Sequence, residues 1–129
     1  MDHPLDRAER WAGAYADAWR RGDGEAAAAL FADGCRFRSH PFRALEDARA
    51  YTVREFDRES DREVWFGTPV MAADRAAVEY WATMAEDGRD ITLAGCVMLR
   101  LDEAGLCTEL RDYWDVVPGR RTPPEGWGI

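Results

Sequence analysis

The feature that most limits what this chain can fold into is residues 62–117, which read as four β-rich runs with only short turn signals between them. The runs cover 63–71, 75–85, 90–101 and 106–117, with turns at Ala73-Asp74, Asp87-Gly88 and Ala104-Gly105. Asp-Gly between two such runs suits the tight hairpin turn, whose two central residues take positive φ. The last three runs therefore predict an antiparallel meander. A parallel doubly wound sheet would need a crossover helix after each strand, and the segment has no room for one.

The residues before this stretch carry helical spacing instead. Pro4 suits a first helical turn, and Ala8, Trp11, Tyr15, Ala18 and Trp19 follow on one stripe, predicting an amphipathic helix that stops at Gly22. Asp23 can cap a second helix over 24–31. Cys35, Phe37 and Ser39 alternate with Arg36 and Arg38, which predicts a short strand ending at His40-Pro41. Leu45, Ala48, Thr52 and Phe56 then predict a third helix over 44–58, with Glu46, Asp47, Arg49 and Arg54 on its solvated side. Helices first and strands afterwards describe an α+β roll, three helices packed on a curved antiparallel sheet around a central pocket. At 129 residues the chain suits one domain, 1–129, able to build its core without metal or disulfide staples. Pro123, Pro124, Gly126 and Gly128 make 118–129 an irregular tail, with Trp127 expected to dock on the body.

Charge and cysteine usage exclude several functions. The net charge is −8, and all 17 basic residues are arginines scattered along the chain. Nucleic-acid binding needs clustered cations that release counterions from phosphates, so it is not expected. The charged N-terminus lacks the apolar core of a secretory signal, and no apolar run has the length of a membrane span, so a soluble cytoplasmic protein is the expectation. Cys35, Cys96 and Cys107 are odd in number without a C-x-x-C pair and read as reduced, mostly buried thiols. His3, in a frayed terminus, and His40 are too few for a zinc cluster.

Two strand motifs, Ala77-Val78-Glu79-Tyr80-Trp81 and Arg111-Asp112-Tyr113-Trp114-Asp115, together with the helix-helix-strand-helix-meander order, resemble the nuclear transport factor 2-like superfamily and its SnoaL-like group. The resemblance covers almost the whole chain and implies a cone: the sheet curls around the first helix and leaves a cavity at its wide end for a small apolar organic molecule. It also implies a homodimer through the outer sheet face. The segment 88–115 is similar to limonene epoxide hydrolase, in which the aspartate matching Asp112 is catalytic. The strand expected at 75–85 lacks that enzyme's Arg-x-Asp pair and offers Glu79 among aromatics.

The period of two places Asp112 with Trp114 on one face, and Glu79 with Trp81 and Thr83 on one face of their strand. With Asp112 turned inward as the resemblance implies, and Glu79 and Trp81 inward too, the pocket holds two carboxyls among indoles. Leu93, Gly95 and Val97 would lie between them, Tyr15 and Trp19 would close the pocket from the helix, and Phe37 and Trp65 would complete the lining. A carboxylate in such a site loses solvation and gains basicity, which permits proton abstraction, dehydration, cyclisation or water activation without a cofactor or metal. Asp112 is the expected general base, with Glu79 and His40 as further acid–base candidates and Tyr15 as a hydroxyl donor to a carbonyl. The alternatives are a polar core network around Asp112, an outward Glu79 paired with an arginine, and a His40 that bonds its own loop. At the level of the whole protein they are a ligand-binding module without catalysis, or a dimeric interaction protein.

Overall fold

A computed structural model describes residues 3–129, as three helices against one six-stranded sheet. Helix α1 (Pro4–Arg21) is capped by His3, whose Nδ1 accepts the Leu5 N–H at 3.1 Å, so this histidine starts the helix rather than fraying away from it. Gly22, at φ 67°, ends the helix in the left-handed region, where a side chain would be strained. Helix α2 (Gly24–Ala28) follows its Asp23 cap and stops three residues short of expectation, because the fully buried Phe31 opens strand β1 (Phe31–Arg38). Helix α3 (Ala48–Asp57) likewise starts later than 44. Asp47 caps it by accepting from Arg49 N and Ala50 N, while Glu46 still pairs with Phe37 as an isolated bridge and Leu45 stays exposed.

The run expected at 63–71 is two strands, β2 (Glu59–Phe66) and the short β3 (Val70–Ala72), broken at Gly67-Thr68-Pro69. Strands β4 (Arg75–Glu86), β5 (Arg89–Leu101) and β6 (Cys107–Pro118) form the meander. Asp87 and Gly88 both have positive φ, as the two-residue turn requires. The sheet order is β1-β6-β5-β4-β2, with β3 also on β4. One expectation fails here: β1 runs parallel to β6, although every other pairing is antiparallel. No hairpin joins β1 to β6; about half the chain, including α3 and four strands, intervenes, so nothing local imposes the antiparallel sense.

Helix α1 lies in the hollow of the sheet. Its Trp11, Ala12 and Trp19 pack with Phe31, Phe37, Phe56, Val64, Tyr80 and Leu110 into one core. Each large side chain fully withdrawn from water contributes about 1.5–3 kcal/mol, so the aromatic stripe fixes where the sheet must curl. The three cysteines are free thiols; Cys107 is buried, and Cys35 and Cys96 are half-buried.

The tail from Gly119 onward has no regular structure and crosses the outer face of the sheet. Thr92 Oγ1 donates to Gly119 O and accepts from Arg121 N, both at 2.8 Å. Trp81 Nε1 donates to Arg121 O at 2.7 Å, the Trp127 ring packs edge-on to Trp81, and Thr68 N donates to Gly128 O. This strap covers Trp81 and Thr92, which would otherwise face water.

Candidate active site

Between α1, α3 and the concave sheet face lies a cavity of about 270 Å³. That is near the lower end of small-molecule sites. The pairing register fixes what projects into it. Counted outward from the Asp87-Gly88 turn, Tyr80 stands opposite Gly95 and Val78 opposite Val97; across the next pair, Gly95 meets Trp114 and Val97 meets Asp112. Tyr80, Val97, Asp112 and Trp114 therefore share the concave face, and Trp11, Tyr15 and Trp19 oppose them from α1.

Asp112 Oδ1 accepts the Tyr80 hydroxyl at 2.7 Å. Gly95 makes that reach possible: a Cβ there would lie 2.8 Å from the Tyr80 hydroxyl oxygen and 2.4 Å from Tyr113 O. In its row Asp112 has only Val78 and Val97 as neighbours. Burial pushes its carboxyl up to about 7, against the Tyr80 hydrogen bond, the charge of Arg43 and the Tyr113 backbone, which favour the ionised form. Burial, and then the negative fields of Asp112 and Glu59, hold the Tyr15 phenol far above its ordinary value. Tyr80 is raised for the same first reason, with Asp112 next. Both phenols stay protonated, and Tyr80 donates to Asp112.

A second carboxyl, which the sequence reading missed, lines the same cavity. Glu59 starts β2, and its Oε1 accepts from Trp19 Nε1 at 2.8 Å and Arg62 Nε at 3.2 Å. The pair is withdrawn from water, with side chains 6% and 13% exposed for Glu59 and Arg62. Burial pushes Glu59 up to about 7 in spite of those two partners. Arg43, Glu55, Arg58 and Glu86 ring the mouth, and Arg43 lies over the Trp114 ring at 5.3 Å. Phe56, Phe66 and Tyr51 complete the aromatic wall.

Of the candidates named from sequence, Asp112, Tyr15, Trp19, Phe37, Leu93, Val97 and Trp114 line the cavity. Gly95 lies in the floor beneath the Tyr80 hydroxyl. Four others do not line it. Glu79 is exposed on the convex face, because Val78 and Tyr80 hold the concave positions of β4. Trp81 and Trp65 face each other across β4 and β2 on that same convex side, where the tail covers Trp81. His40 sits behind the cavity wall, its ring 5.0 Å from Trp114 and its Nδ1 accepting Phe42 N at 3.3 Å, so it is engaged with its own loop. Trp114 Nε1 donates to Ser39 O at 2.6 Å, which anchors the wall to the end of β1.

Among the described residues no group of three or more His, Cys, Asp or Glu side chains is placed to hold a metal ion, and no helix is long and apolar enough to cross a membrane.

The sequence pattern of the SnoaL-like domain matches residues 12–110. Among solved structures, a LEH-like epoxide hydrolase from M. tuberculosis is 18% identical with a TM-score of 0.69, over 84% of this chain and 83% of that one. SalBIII, described as an epoxide hydrolase/cyclase-like enzyme in pyran ring formation in polyether salinomycin, is 16% identical with a TM-score of 0.78, over 92% and 99%. RV0760c from Mycobacterium tuberculosis is 17% identical with a TM-score of 0.72, over 88% and 96%. At such identities the likeness is one of fold. No curated protein matches the sequence.

Proposed function

The chain belongs to the SnoaL-like domain family, of nuclear transport factor 2-like fold, and from that premise we propose that it is an enzyme of acid–base type acting on a small, largely apolar organic molecule in the cone cavity. Asp112 is the general base, Tyr80 holds its carboxyl in place, and Tyr15 offers a hydroxyl to developing negative charge on the ligand. The reactions open to such a site are isomerisation, dehydration, cyclisation and epoxide opening. A cytoplasmic homodimer belongs to the same reading.

The observation that carries it is one carboxyl in an apolar row of the cavity, raised to about 7 and fixed by a phenol at 2.7 Å. A base with that affinity for protons is half-ionised near neutrality and returns its proton readily. The solved neighbours described as epoxide hydrolase and cyclase-like are in keeping with such chemistry on this fold.

The test starts with a thermal-shift screen of terpenoid and polycyclic compounds, since a ligand of the native state raises the melting point. On a compound that is converted, Asp112→Asn lowers turnover at least ~100-fold; unchanged turnover refutes the assignment. The Tyr80 bond on Oδ1 favours one second reading, a binding protein in which Asp112 serves only the polar network. In that case the ligand binds, Asp112→Asn changes its affinity, and no product forms.

A further inference from the structure

Both donors to Glu59, Trp19 Nε1 and Arg62 Nε, converge on Oε1. The carboxyl lies on the cavity wall, across a ring contact from Asp112: Trp19, bonded to Glu59, packs at 5.7 Å against Tyr80, bonded to Asp112. The two carboxyls are thus held one to each ring of a neighbouring pair, both on the lining of one cavity. Tyr15 feels the charge of each.

We infer that Glu59 is a second proton-transfer group of this cavity, giving a proton from Oε2 to a leaving oxygen of the ligand while Asp112 takes one from carbon. The inference rests on the reading of Asp112 as a base. In the step, ionised Asp112 removes a proton from carbon and the C–H electron pair forms the new π bond. The bond to oxygen breaks with its pair going to that oxygen, which takes the proton of the neutral Glu59. Asp112 ends protonated and Glu59 ionised, one proton each, and water at the mouth returns them to their starting states. The substrate class is therefore a compound with an acidic C–H and an oxygen leaving group, such as a β-hydroxy carbonyl compound.

The charged and titratable groups around Glu59 are Arg62 on its own strand, Glu86 from β4, Glu55 from α3, Arg58 at the C-cap of α3, and Tyr15 from α1. Among the described residues the cation hydrogen-bonded to the carboxylate is Arg62, through its Nε to Oε1. Oε2 is thus the atom available to carry the proton.

The test uses two benzisoxazoles as elimination probes, in which base removal of the ring proton breaks the N–O bond and releases a phenolate. The 5-nitro compound has a good leaving oxygen and the unsubstituted compound a poor one. Glu59→Gln keeps an oxygen for Trp19 but cannot donate as an acid. It is expected to slow the unsubstituted compound at least tenfold and the nitro compound less than about threefold, while Asp112→Asn slows both. An equal loss on both probes, or none, from Glu59→Gln overturns the inference and leaves the Asp112 base standing. A wild-type rate no faster than buffer, or an Asp112→Asn variant at wild-type rate, overturns the base reading itself. Infrared spectroscopy reads Glu59 without turnover: at about pH 6 a protonated-carboxyl band lost in Glu59→Gln supports the donor, and its absence from the wild type overturns it.

Discussion

Replacing Asp112 by asparagine removes a group that costs the folded protein stability once it ionises. Its folded value, about 7, lies above the ordinary 3.8. Between those values the native state keeps a proton that the unfolded chain has lost, so the group's contribution is full below the lower value and fades as pH rises through the upper one. At 1.36 kcal/mol per pH unit, a window about 3 units wide sets a ceiling of ~4 kcal/mol. The effective dielectric around buried groups in proteins is well above that of a dry interior, which brings the expectation to about 2 kcal/mol. Glu59 titrates in the same range but is present in both proteins, so it cancels in the comparison. Urea unfolding of wild type and Asp112→Asn at pH 5 and pH 8, with equal m-values, measures the difference directly. About two of those three units lie between pH 5 and pH 7, so the variant should gain about 1.3 kcal/mol on the wild type between the two pH values while losing its activity, the trade expected where a reactive group is held against its solvation. A stability difference that does not change with pH would refute the reasoning.

Tyr80→Phe removes the hydroxyl that favours ionised Asp112, a bond of the kind worth about 1.5–3 kcal/mol, so the alkaline rise of kcat/KM should move up by roughly 1–2 pH units; an unmoved profile would mean that the bond does not set the basicity. Gly95→Ala places a methyl 2.4 Å from Tyr113 O and should lower stability by about 1–3 kcal/mol while displacing Tyr80, which a melt and the same pH profile read together. Glu79→Gln, on the exposed convex face, should change stability by less than about 0.5 kcal/mol and leave turnover unaltered; a large loss of activity would show that the face has been assigned wrongly. Trp81→Ala should loosen the tail and lower the melting temperature without changing ligand affinity, because Trp81 bonds Arg121 on the side away from the cavity, and calorimetric titration would detect the opposite.

Much of the fold is written in local pattern. The stripe Ala8, Trp11, Tyr15, Ala18, Trp19 and the stop at Gly22 define α1, and the Asp87-Gly88 turn defines the β4–β5 hairpin. The inward side of Asp112 came with the resemblance of its strand, since alternation alone leaves the choice of face open. The face of β4 was misjudged because two apolar sets alternate there. Ala76, Val78, Tyr80, Ala82 and Met84 are buried by the core, while Trp81 is covered by the tail, a contact that no local pattern announces. The signal was available all the same. Counting from the two-residue turn sets Tyr80 opposite Gly95, and Gly95 lies opposite Trp114, so Tyr80 and Trp114 must share a side. Arg75 and Glu79, both exposed, mark the other side. Glu59 had no comparable signal: it sits at the junction of α3 and β2 among charged residues, and only Trp19, forty positions away, and Arg62 bring it indoors. The parallel pairing of β1 with β6 is equally a product of the complete chain.

The central claim is that one carboxyl, at position 112, is held among apolar side chains on the cavity wall with its proton affinity matched to neutral pH. Labelling the aspartate carboxyl carbons with carbon-13 and following their shifts from about pH 3 to pH 9, with Asp112→Asn to assign the signal, reads this without any ligand. A midpoint near 7 for Asp112 is the predicted result, and a midpoint near 4, as for a carboxylate in water, would contradict the account.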